Sequence, residues 1–384
     1  MIETRPPRGR AEEAAFHALP ARLQGAGWGP RLRWEERRLF APATNGFLAT
    51  HDVARFLAWR DGRAVGRIAA CVPHNPASPA TFGFLAVEED AAALRALLDA
   101  ARGFAAASGR DSLLGPLSFT INHEVGAQAG FFDRPPMLRL PGTPPWLPAA
   151  LDAAGLQAVK DVLACTVDLA AERHRTRFAR LAAARAPDMA RLSIRGLRRA
   201  DYAAEVRLVA ALFDDAWADN WGAVPLGPAE VETLATLLRP LLWRGEVFIA
   251  VWDGKPVGLL SLVPNIDAAL PRDGRLLPFG WARLLAALAG YIPPGSIPAG
   301  ADQARIPMLG ITRAFRRHPA SALAMGALLD AAFGLAARRG WRRIEISWIL
   351  EDNAAMLNAM ARLPAPVTGR WRLWSMPAPP PTEA

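Results

Sequence analysis

The sequence predicts an α/β protein that consists of two tandem copies of one domain. Residues 56–66 match residues 248–258 around a shared Asp-Gly pair, and residues 96–101 match residues 327–332. The two offsets, 192 and 231 residues, imply that the second copy carries an insertion of 39 residues. Blocks that recur in the same order indicate a duplicated unit, and 384 residues with 52% apolar side chains suffice for two hydrophobic cores.

The first block of each copy predicts a β-hairpin. Short apolar segments flank Asp61-Gly62 in the first copy and Asp253-Gly254 in the second. Asp-Gly tolerates the positive φ angles of a tight two-residue turn, so each pair is expected to connect two antiparallel strands.

The second block predicts an amphipathic helix followed by a buried strand. In the second copy Gly340 ends the helix, and residues 344–350 form the strand. A hairpin, a helix and a strand in this order are typical of an α/β domain. The apolar residues at helical spacing are Leu323, Leu328, Leu329, Ala332, Phe333 and Ala336.

Composition shifts divide the chain into segments. An N-terminal extension covers residues 1–29, and the Ala/Arg-rich segment 170–188 is expected to contain the boundary between domains at 30–187 and 188–376. The insertion lies near residues 265–303. The tail, residues 377–384, has four prolines and is expected to be disordered.

The formal charge of +9 favours an anionic partner such as a nucleotide phosphate or an acidic lipid headgroup. Only Lys160 and Lys255 are lysines, and the arginines are scattered among alanines rather than gathered in a patch. We therefore expect no nucleic acid partner.

The cysteines, the histidines and the apolar segments indicate the cellular compartment and whether a metal is expected. Cys71 and Cys165 lie in apolar segments and are expected to be buried and free, and the histidines lack the spacing of metal ligands, so no metal is expected. The N-terminus has no secretory signal, and no apolar run reaches the roughly 18 residues of a spanning helix. We expect a cytoplasmic protein, or one that is peripheral at the inner face of the cytoplasmic membrane.

Residues 192–376 resemble the GNAT (GCN5-related N-acetyltransferase) fold, and residues 30–169 resemble a second, degenerate copy of it. The motifs are residues 247–262, 306–333 and 344–360. The resemblance implies two GNAT-like domains, each with a mixed, mostly antiparallel sheet flanked by helices. Residues 215–217, 220–222, 278–280 and 347–353 more narrowly resemble a bacterial tandem-GNAT group that includes ceramide synthase-like N-acyltransferases.

The resemblance implies that the second copy binds an acyl-CoA, either acetyl-CoA or a long-chain acyl-CoA. Backbone N–H groups of strand 307–311 would stabilise the oxyanion, and the helix start after loop 312–321 would hold the pyrophosphate. The loop lacks the glycines usual in the family, and Met360 stands where the family often has a tyrosine acid. The alternative is that Arg316 and Arg317 only solvate a turn. The residues assigned to the donor are Leu309, Gly310, Ile311, Arg313, Arg316, Arg317, His318, Ser321 and Asn353.

The matching place in the first copy has Glu88, Glu89 and Asp90 instead of arginines. Three acids repel a pyrophosphate, so this copy is not expected to bind CoA, and the two halves are expected to have different roles.

Strand 344–350 contains the main candidate for a general base. Strand alternation sends Glu345 and Ser347 to the face where substrate would lie. A half-buried carboxylate with a raised pKa takes a proton from an ammonium group. Asp352 is the second candidate, although Asp352 or Asn353 could instead cap the next helix. The opposite face takes Ile344, Ile346 and Trp348.

Several residues are assigned to the acceptor groove by the resemblance, with helix termination and core packing as the alternative explanation. The assigned residues are Asp215, Trp217, Asn220, Trp221, Phe279 and Trp348.

The insertion has an apolar stretch at 276–292. Three alternative roles remain open for this stretch: it covers a lipid chain, it dips into a membrane surface, or it packs between the halves.

The resulting functional prediction is direct N-acyl transfer from a thioester to a primary amine. No serine or cysteine lies in a nucleophile motif, so no covalent enzyme intermediate is expected. The acceptor would be a lipid amine such as a sphingoid base, which places the protein in sphingolipid metabolism. The alternative is a non-catalytic binding or regulatory protein on a GNAT scaffold.

Overall fold

A computed structural model of the chain describes residues 1–23, 31–134, 136–170, 173–270, 273–290 and 302–377. The chain forms two units, each described here by itself. Unit 1 comprises Met1–Val162, Leu270–Trp281 and Gly369–Ala384, and unit 2 comprises Leu163–Ala269 and Ala282–Thr368. Parts of the predicted extension (24–29), of the insertion (271–272 and 291–301) and of the tail (378–384) lie outside the described residues.

Unit 1 contains a mixed sheet in the order β1-β2-β3-β4-β5-β13, and β6 also pairs with β13. Strands β1 to β4 are antiparallel neighbours, whereas β4 and β5 are parallel. Its strands are β1 (Ile2–Arg5), β2 (His51–Arg60), β3 (Arg63–Pro73), β4 (Ala80–Val87), β5 (Ser112–Gly115), β6 (Ala127–Gly130), the start of β7 (Gln157–Asp168) and most of β13 (Val367–Pro377). Its helices are α1 (Gly9–Arg22), α2 (Arg33–Leu39), α3 (Ala91–Ala107) and α4 (Leu147–Ala153).

Unit 2 repeats this plan in the order β8-β9-β10-β11-β12, followed by the end of β7. The first four strands are antiparallel neighbours, and β11 and β12 are parallel. Its strands are β8 (Leu192–Arg195), β9 (Glu246–Trp252), β10 (Lys255–Pro264), β11 (Gln303–Ile311) and β12 (Arg343–Leu350). Its helices are α5 (His174–Ala184), α6 (Ala186–Met189), α7 (Tyr202–Trp217), α8 (Pro228–Leu238), most of α9 (Gly280–Ala289), α10 (Arg313–Arg316), α11 (Ser321–Arg339) and α12 (Ala354–Arg362).

Both predicted hairpins are confirmed. Asp61 and Gly62 connect β2 to β3 with φ angles of 51° and 74°, and Asp253 and Gly254 connect β9 to β10 with 47° and 77°. Positive φ at both turn positions is the geometry that makes Asp-Gly favourable there.

Each sheet is covered by helices on both faces. In unit 2 the predicted core residues of α11 are all buried, and Gly340 ends the helix with a φ of 75°. The opposite face packs under α7 through Leu212. Among the described helices, α11 is long and apolar enough to cross a membrane, yet most of it is buried in this core.

The units do not follow the predicted division at residues 187 and 188. Helix α5, inside the predicted boundary segment, packs on α11, where His174 Nε2 lies 3.0 Å from the Gly326 carbonyl oxygen. Strand β7 passes from unit 1 into unit 2, and β13 ends in unit 1. Each unit therefore combines segments that are far apart in sequence, which no local composition signal marks.

Candidate active site

Strands β11 and β12 separate part of the way along unit 2. Their parallel pairing runs from Gln303↔Arg343 to Ile306↔Ile346, while both strands continue for several more residues. The register of β11 against β10 shifts at this point, so Ile306 and Pro307 form a bulge. Bulges bend strands, and proline has no N–H for a ladder. The outcome is an opening between residues 307–311 and 347–350, where no strand in the described part of the chain pairs with this edge of β11.

Three buried polar side chains lie where the strands separate. Arg305 Nε donates a hydrogen bond to Ser347 Oγ at 2.9 Å, and Ser347 Oγ donates to Glu345 Oε1 at 2.8 Å. Arg305 Nε is 3.9 Å from Glu345 Oε1, and the two residues are partners in the β11–β12 register. All three are at most 6% exposed, so they form a buried polar cluster at the base of the opening.

The cluster suits a proton acceptor. Burial raises the pKa of Glu345, and this effect exceeds the opposing influence of the Arg305 charge and the Ser347 hydrogen bond. A carboxylate with a raised pKa is a better base near neutral pH than a solvated one. Burial and the Glu345 charge raise the pKa of the Cys165 thiol to about 11, so this thiol stays protonated at neutral pH.

The predicted alternation on β12 is correct for Glu345 and Ser347 but wrong at Trp348. The Ser347–Trp348 peptide bond is cis, and the Trp348 ring lies against the Arg305 guanidinium, 4.8 Å from centroid to carbon, rather than with Ile344 and Ile346. Trp348 Nε1 is buried and has no hydrogen-bond partner among the described residues. An indole N–H without a partner is therefore available beside the cluster.

Arg305 is a residue of this cluster that the sequence alone does not predict. It lies in an apolar strand forty positions before Glu345, and only the parallel register brings the two together. A charged residue inside a segment that otherwise predicts a buried strand was the available signal.

Helix α11 begins beside β11 without a side-chain cap. Its first N–H groups include that of half-buried Ser321, which bonds to the His318 carbonyl oxygen at 2.9 Å. The His318 ring accepts a hydrogen bond from the Ala320 N–H and stacks on Phe315 with centroids 4.7 Å apart. The predicted donor residue His318 thus shapes the turn that leads into the helix.

The predicted arginines have different environments. The backbone N–H and Nε of Arg313 donate to Asp215 at 2.8 and 3.3 Å, and Asp219 lies 3.6 Å from Arg313 and 3.8 Å from Arg316. Arg316 also donates to the Ile311 carbonyl oxygen at 3.0 Å. Arg317 is exposed and has no partner within the part of the chain that the structure describes. Of these three residues, Arg317 alone has an unengaged guanidinium.

The end of α7 lies against β11. Trp217 stacks on Phe213 with centroids 4.6 Å apart, and a Cβ at Gly310 would lie 2.5 Å from the Trp217 ring. Gly310 is therefore required by this close approach. The turn that follows α7 contains Asn220, whose N–H bonds to the Trp217 carbonyl oxygen, and half-buried Trp221. Asp215, assigned to the acceptor, is engaged by Arg313 instead.

The remaining predicted residues lie outside the buried polar cluster. Asn353 caps α12, where its Oδ1 accepts from the Met356 N–H at 3.0 Å, so the capping alternative is confirmed for this residue. Asp352 is exposed, unlike Glu345. Phe279 belongs to unit 1. No group of three acidic, histidine or cysteine side chains suited to a metal occurs in the described ranges.

The equivalent place in unit 1 is filled by the chain itself. The Leu117 N–H bonds to the Phe82 carbonyl oxygen at 2.6 Å, and a Cβ at Gly83 would lie 1.9 Å from the Leu117 oxygen. Asp90 caps helix α3, accepting from two backbone N–H groups at 3.1 Å each. Glu88 pairs with Arg63 at 2.8 Å. The segment after β5 thus covers β4, and a carboxylate occupies the helix start.

Comparison with known proteins identifies full-length relatives. A search against protein-family models finds no match for this chain. The bacterial ceramide synthase of Caulobacter vibrioides (strain NA1000 / CB15N) is 33% identical over 362 residues, which cover 90% of each chain. Protein YghO of Escherichia coli (strain K12) is 30% identical over 373 residues, which cover 94% of this chain and 91% of that protein.

Solved structures show the same fold. A tandem GNAT protein from the clavulanic acid biosynthesis pathway superposes with a TM-score of 0.54 at 16% identity, covering 99% of both chains. A GCN5-related N-acetyltransferase from Sphaerobacter thermophilus superposes with a TM-score of 0.51 at 13% identity, covering 100% of this chain and 98% of that one. The predicted tandem GNAT fold is confirmed, and the chain belongs to the family of the bacterial ceramide synthase.

Proposed function

We propose that the protein transfers an acyl group from acyl-CoA to the primary amine of a long-chain lipid such as a sphingoid base, and that unit 2 performs the transfer. The observation that carries this proposal is the buried carboxylate of Glu345, with its raised pKa, at the point where β11 and β12 separate. The name of the Caulobacter relative, a ceramide synthase, supports the choice of acceptor.

Glu345 is proposed as the general base. An alkylamine reaches the site as an ammonium ion, and Glu345 removes one proton to expose the nitrogen lone pair. The nitrogen then forms a bond to the thioester carbonyl carbon, the C–S bond breaks, and CoA leaves as a thiolate. As the amide forms, the nitrogen loses its second proton, which the departing CoA thiolate takes up to become the free thiol. Arg305 and Ser347 hold the carboxylate in place through their hydrogen bonds.

The oxyanion is proposed to be stabilised by β11. Residues 308–311 pair with β10 on one side, which leaves their other edge facing the opening. Backbone N–H groups on a fixed strand are preorganised for a developing negative charge. This edge includes the predicted residues Leu309, Gly310 and Ile311.

The CoA phosphates are proposed to lie at the start of α11. The helix has nineteen residues, no side-chain cap and the unpaired Arg317 nearby in sequence, so both the helix dipole and a guanidinium favour an anion there. Pro319 removes one backbone donor. These residues are suited to bind the phosphates of acyl-CoA. The Arg317 side chain would make contacts that backbone N–H groups of a glycine-rich loop usually make in the family.

A covalent route through cysteine is disfavoured. Cys165 is buried and its pKa is raised to about 11, and the thiolate rather than the thiol is the nucleophile. Direct transfer from thioester to amine agrees with this environment.

The test is a reaction of the purified chain with hexadecanoyl-CoA and sphinganine. We expect release of free CoA thiol and an N-acyl product by mass spectrometry. Hexadecanol serves as the control acceptor because it has the chain without the amine. Failure to release thiol with either sphinganine or simple alkylamines would contradict the proposal. Acylation of hexadecanol would contradict it as well.

A further inference from the structure

Unit 1 presents large apolar side chains to solvent just before and at the start of α9. Leu277 is 75% exposed, Phe279 76% and Trp281 48%, all within five residues. Trp281 Nε1 donates to the Pro278 carbonyl oxygen at 2.9 Å, so its polar atom is satisfied while its ring remains exposed. Isolated exposed apolar residues are common, but a run of this size marks an interaction site.

The start of α2 joins this segment. The Arg33 N–H donates to the Gly274 carbonyl oxygen at 3.0 Å, and a Cβ at Gly274 would lie 2.2 Å from the Arg31 oxygen. The next residue, Trp34, is 53% exposed. A second exposed indole therefore lies beside the junction.

Positive charge surrounds the same junction. Arg37 and Arg275 are exposed and form no ion pair within the described ranges. Burial and the neighbouring charges of Arg275 and Arg37 lower the pKa of Arg33, against the opposing influence of Asp273 and Glu36. Many other arginines of unit 1 are paired with carboxylates, so this cluster keeps a net positive charge.

We propose that these side chains form a membrane-docking surface, defined as Trp34, Leu277, Phe279 and Trp281 with Arg37 and Arg275, which inserts into the headgroup region of an anionic bilayer. Tryptophan, leucine and phenylalanine bury favourably at that depth, while arginines remain at the level of the lipid phosphates. Charge complementarity selects an anionic lipid surface over a second copy of this equally basic chain. The inference goes beyond the proposed function and does not depend on it, because it concerns where the protein binds.

The test is co-sedimentation of the full-length chain with phosphatidylcholine vesicles that contain or lack phosphatidylglycerol. We expect binding to the anionic vesicles that weakens as salt is raised. The double change Leu277→Ser and Phe279→Ser should lower the partition coefficient about tenfold or more, since each buried side chain of this size contributes strongly. Arg37→Gln with Arg275→Gln should reduce binding and remove most of its salt dependence.

Phe132→Ser is the matched control, because Phe132 is also in unit 1 and is 39% exposed but lies outside the membrane-docking surface. It should bind vesicles like the unmodified chain. Absence of binding to anionic vesicles, or unchanged binding after the Leu277 and Phe279 changes, would overturn the proposal. So would a dimer in sedimentation velocity that those changes dissociate without affecting vesicle binding. Acyl transfer in detergent is measured separately, so failure of docking is distinguishable from failure of the chemistry.

Discussion

The two copies of the duplicated domain share a hairpin, a helix and a parallel strand pair, but they differ in the space beside that pair. In unit 1 the segment after β5 lies on β4, and Asp90 occupies the start of α3. In unit 2 β11 and β12 separate around buried Glu345, and α11 starts without a side-chain cap. One fold thus has a filled and an open form, and the difference comes from a few local residues.

An anion site at the start of a helix is easily lost. A single carboxylate at the first position accepts the same N–H groups that a phosphate would use. Asp90 stabilises its helix through N–H groups that a phosphate would need, and we therefore propose that unit 1 does not bind the donor.

The substitution Glu345→Gln should reduce the activity of unit 2 more than any other change considered below. It removes the proposed base while keeping a polar side chain of the same size beside Ser347, so kcat should fall about 10²- to 10⁴-fold. Acyl-CoA binding should be retained. Glu351→Gln is the control, because Glu351 is an exposed carboxylate just past the same strand. Equal kcat values for the two variants would contradict the assignment.

Arg317→Ala should weaken binding of acetyl-CoA about tenfold, because it removes a charge-assisted contact to a phosphate. Isothermal titration measures this change. Arg95→Ala is the control in unit 1, because Arg95 is an exposed arginine at the fifth position of α3. If both variants bind equally well, Arg317 only solvates a turn.

Arg305→Gln should shift the acid limb of the kcat–pH profile to higher pH. The Arg305 charge lowers the pKa of Glu345 against the effect of burial, so its loss leaves the carboxylate harder to ionise. The base works only when ionised, and activity should therefore appear at higher pH. Cys165, whose own pKa is raised to about 11, does not titrate in this range.

Arg305→Lys is the conservative partner, because it keeps a positive charge and should hold the acid limb near its original position. A profile that is unchanged in Arg305→Gln, with kcat merely reduced, would show that Arg305 acts on the fold and not on the Glu345 carboxyl group.

Asp90→Ala is expected to have the smallest effect on function. Loss of the cap should lower the free energy of unfolding by about 1 kcal/mol, measured by denaturant titration. Acyl-CoA affinity should not change. Tighter binding or a second site in this variant would indicate that unit 1 still has a usable donor site.

The sequence predicted elements whose signals are local. The Asp61-Gly62 and Asp253-Gly254 turns, the helical spacing of α11 and the stop at Gly340 follow from turn chemistry and periodicity. The facing of Glu345 followed from strand alternation, which ceased to apply at Trp348.

Features that depend on distant pairing could not be predicted from one sequence. Arg305 meets Glu345 only through the β11–β12 register, and Arg313 meets Asp215 across 98 positions. The division of the residues of β7 and of β13 between the two units could not be predicted for the same reason. From the sequence alone, loop 312–321 therefore predicts a free anion site, although Asp215 and Asp219 lie close to two of its arginines.

Hydrogen–deuterium exchange of the full chain with and without acetyl-CoA tests the difference between the units most directly. We expect slower exchange in residues 307–323 of unit 2 and no change in residues 80–93 of unit 1. The effect should be lost in Ser321→Asp, which places an acid at the start of α11. Protection of residues 80–93, or protection that persists in Ser321→Asp, would contradict it.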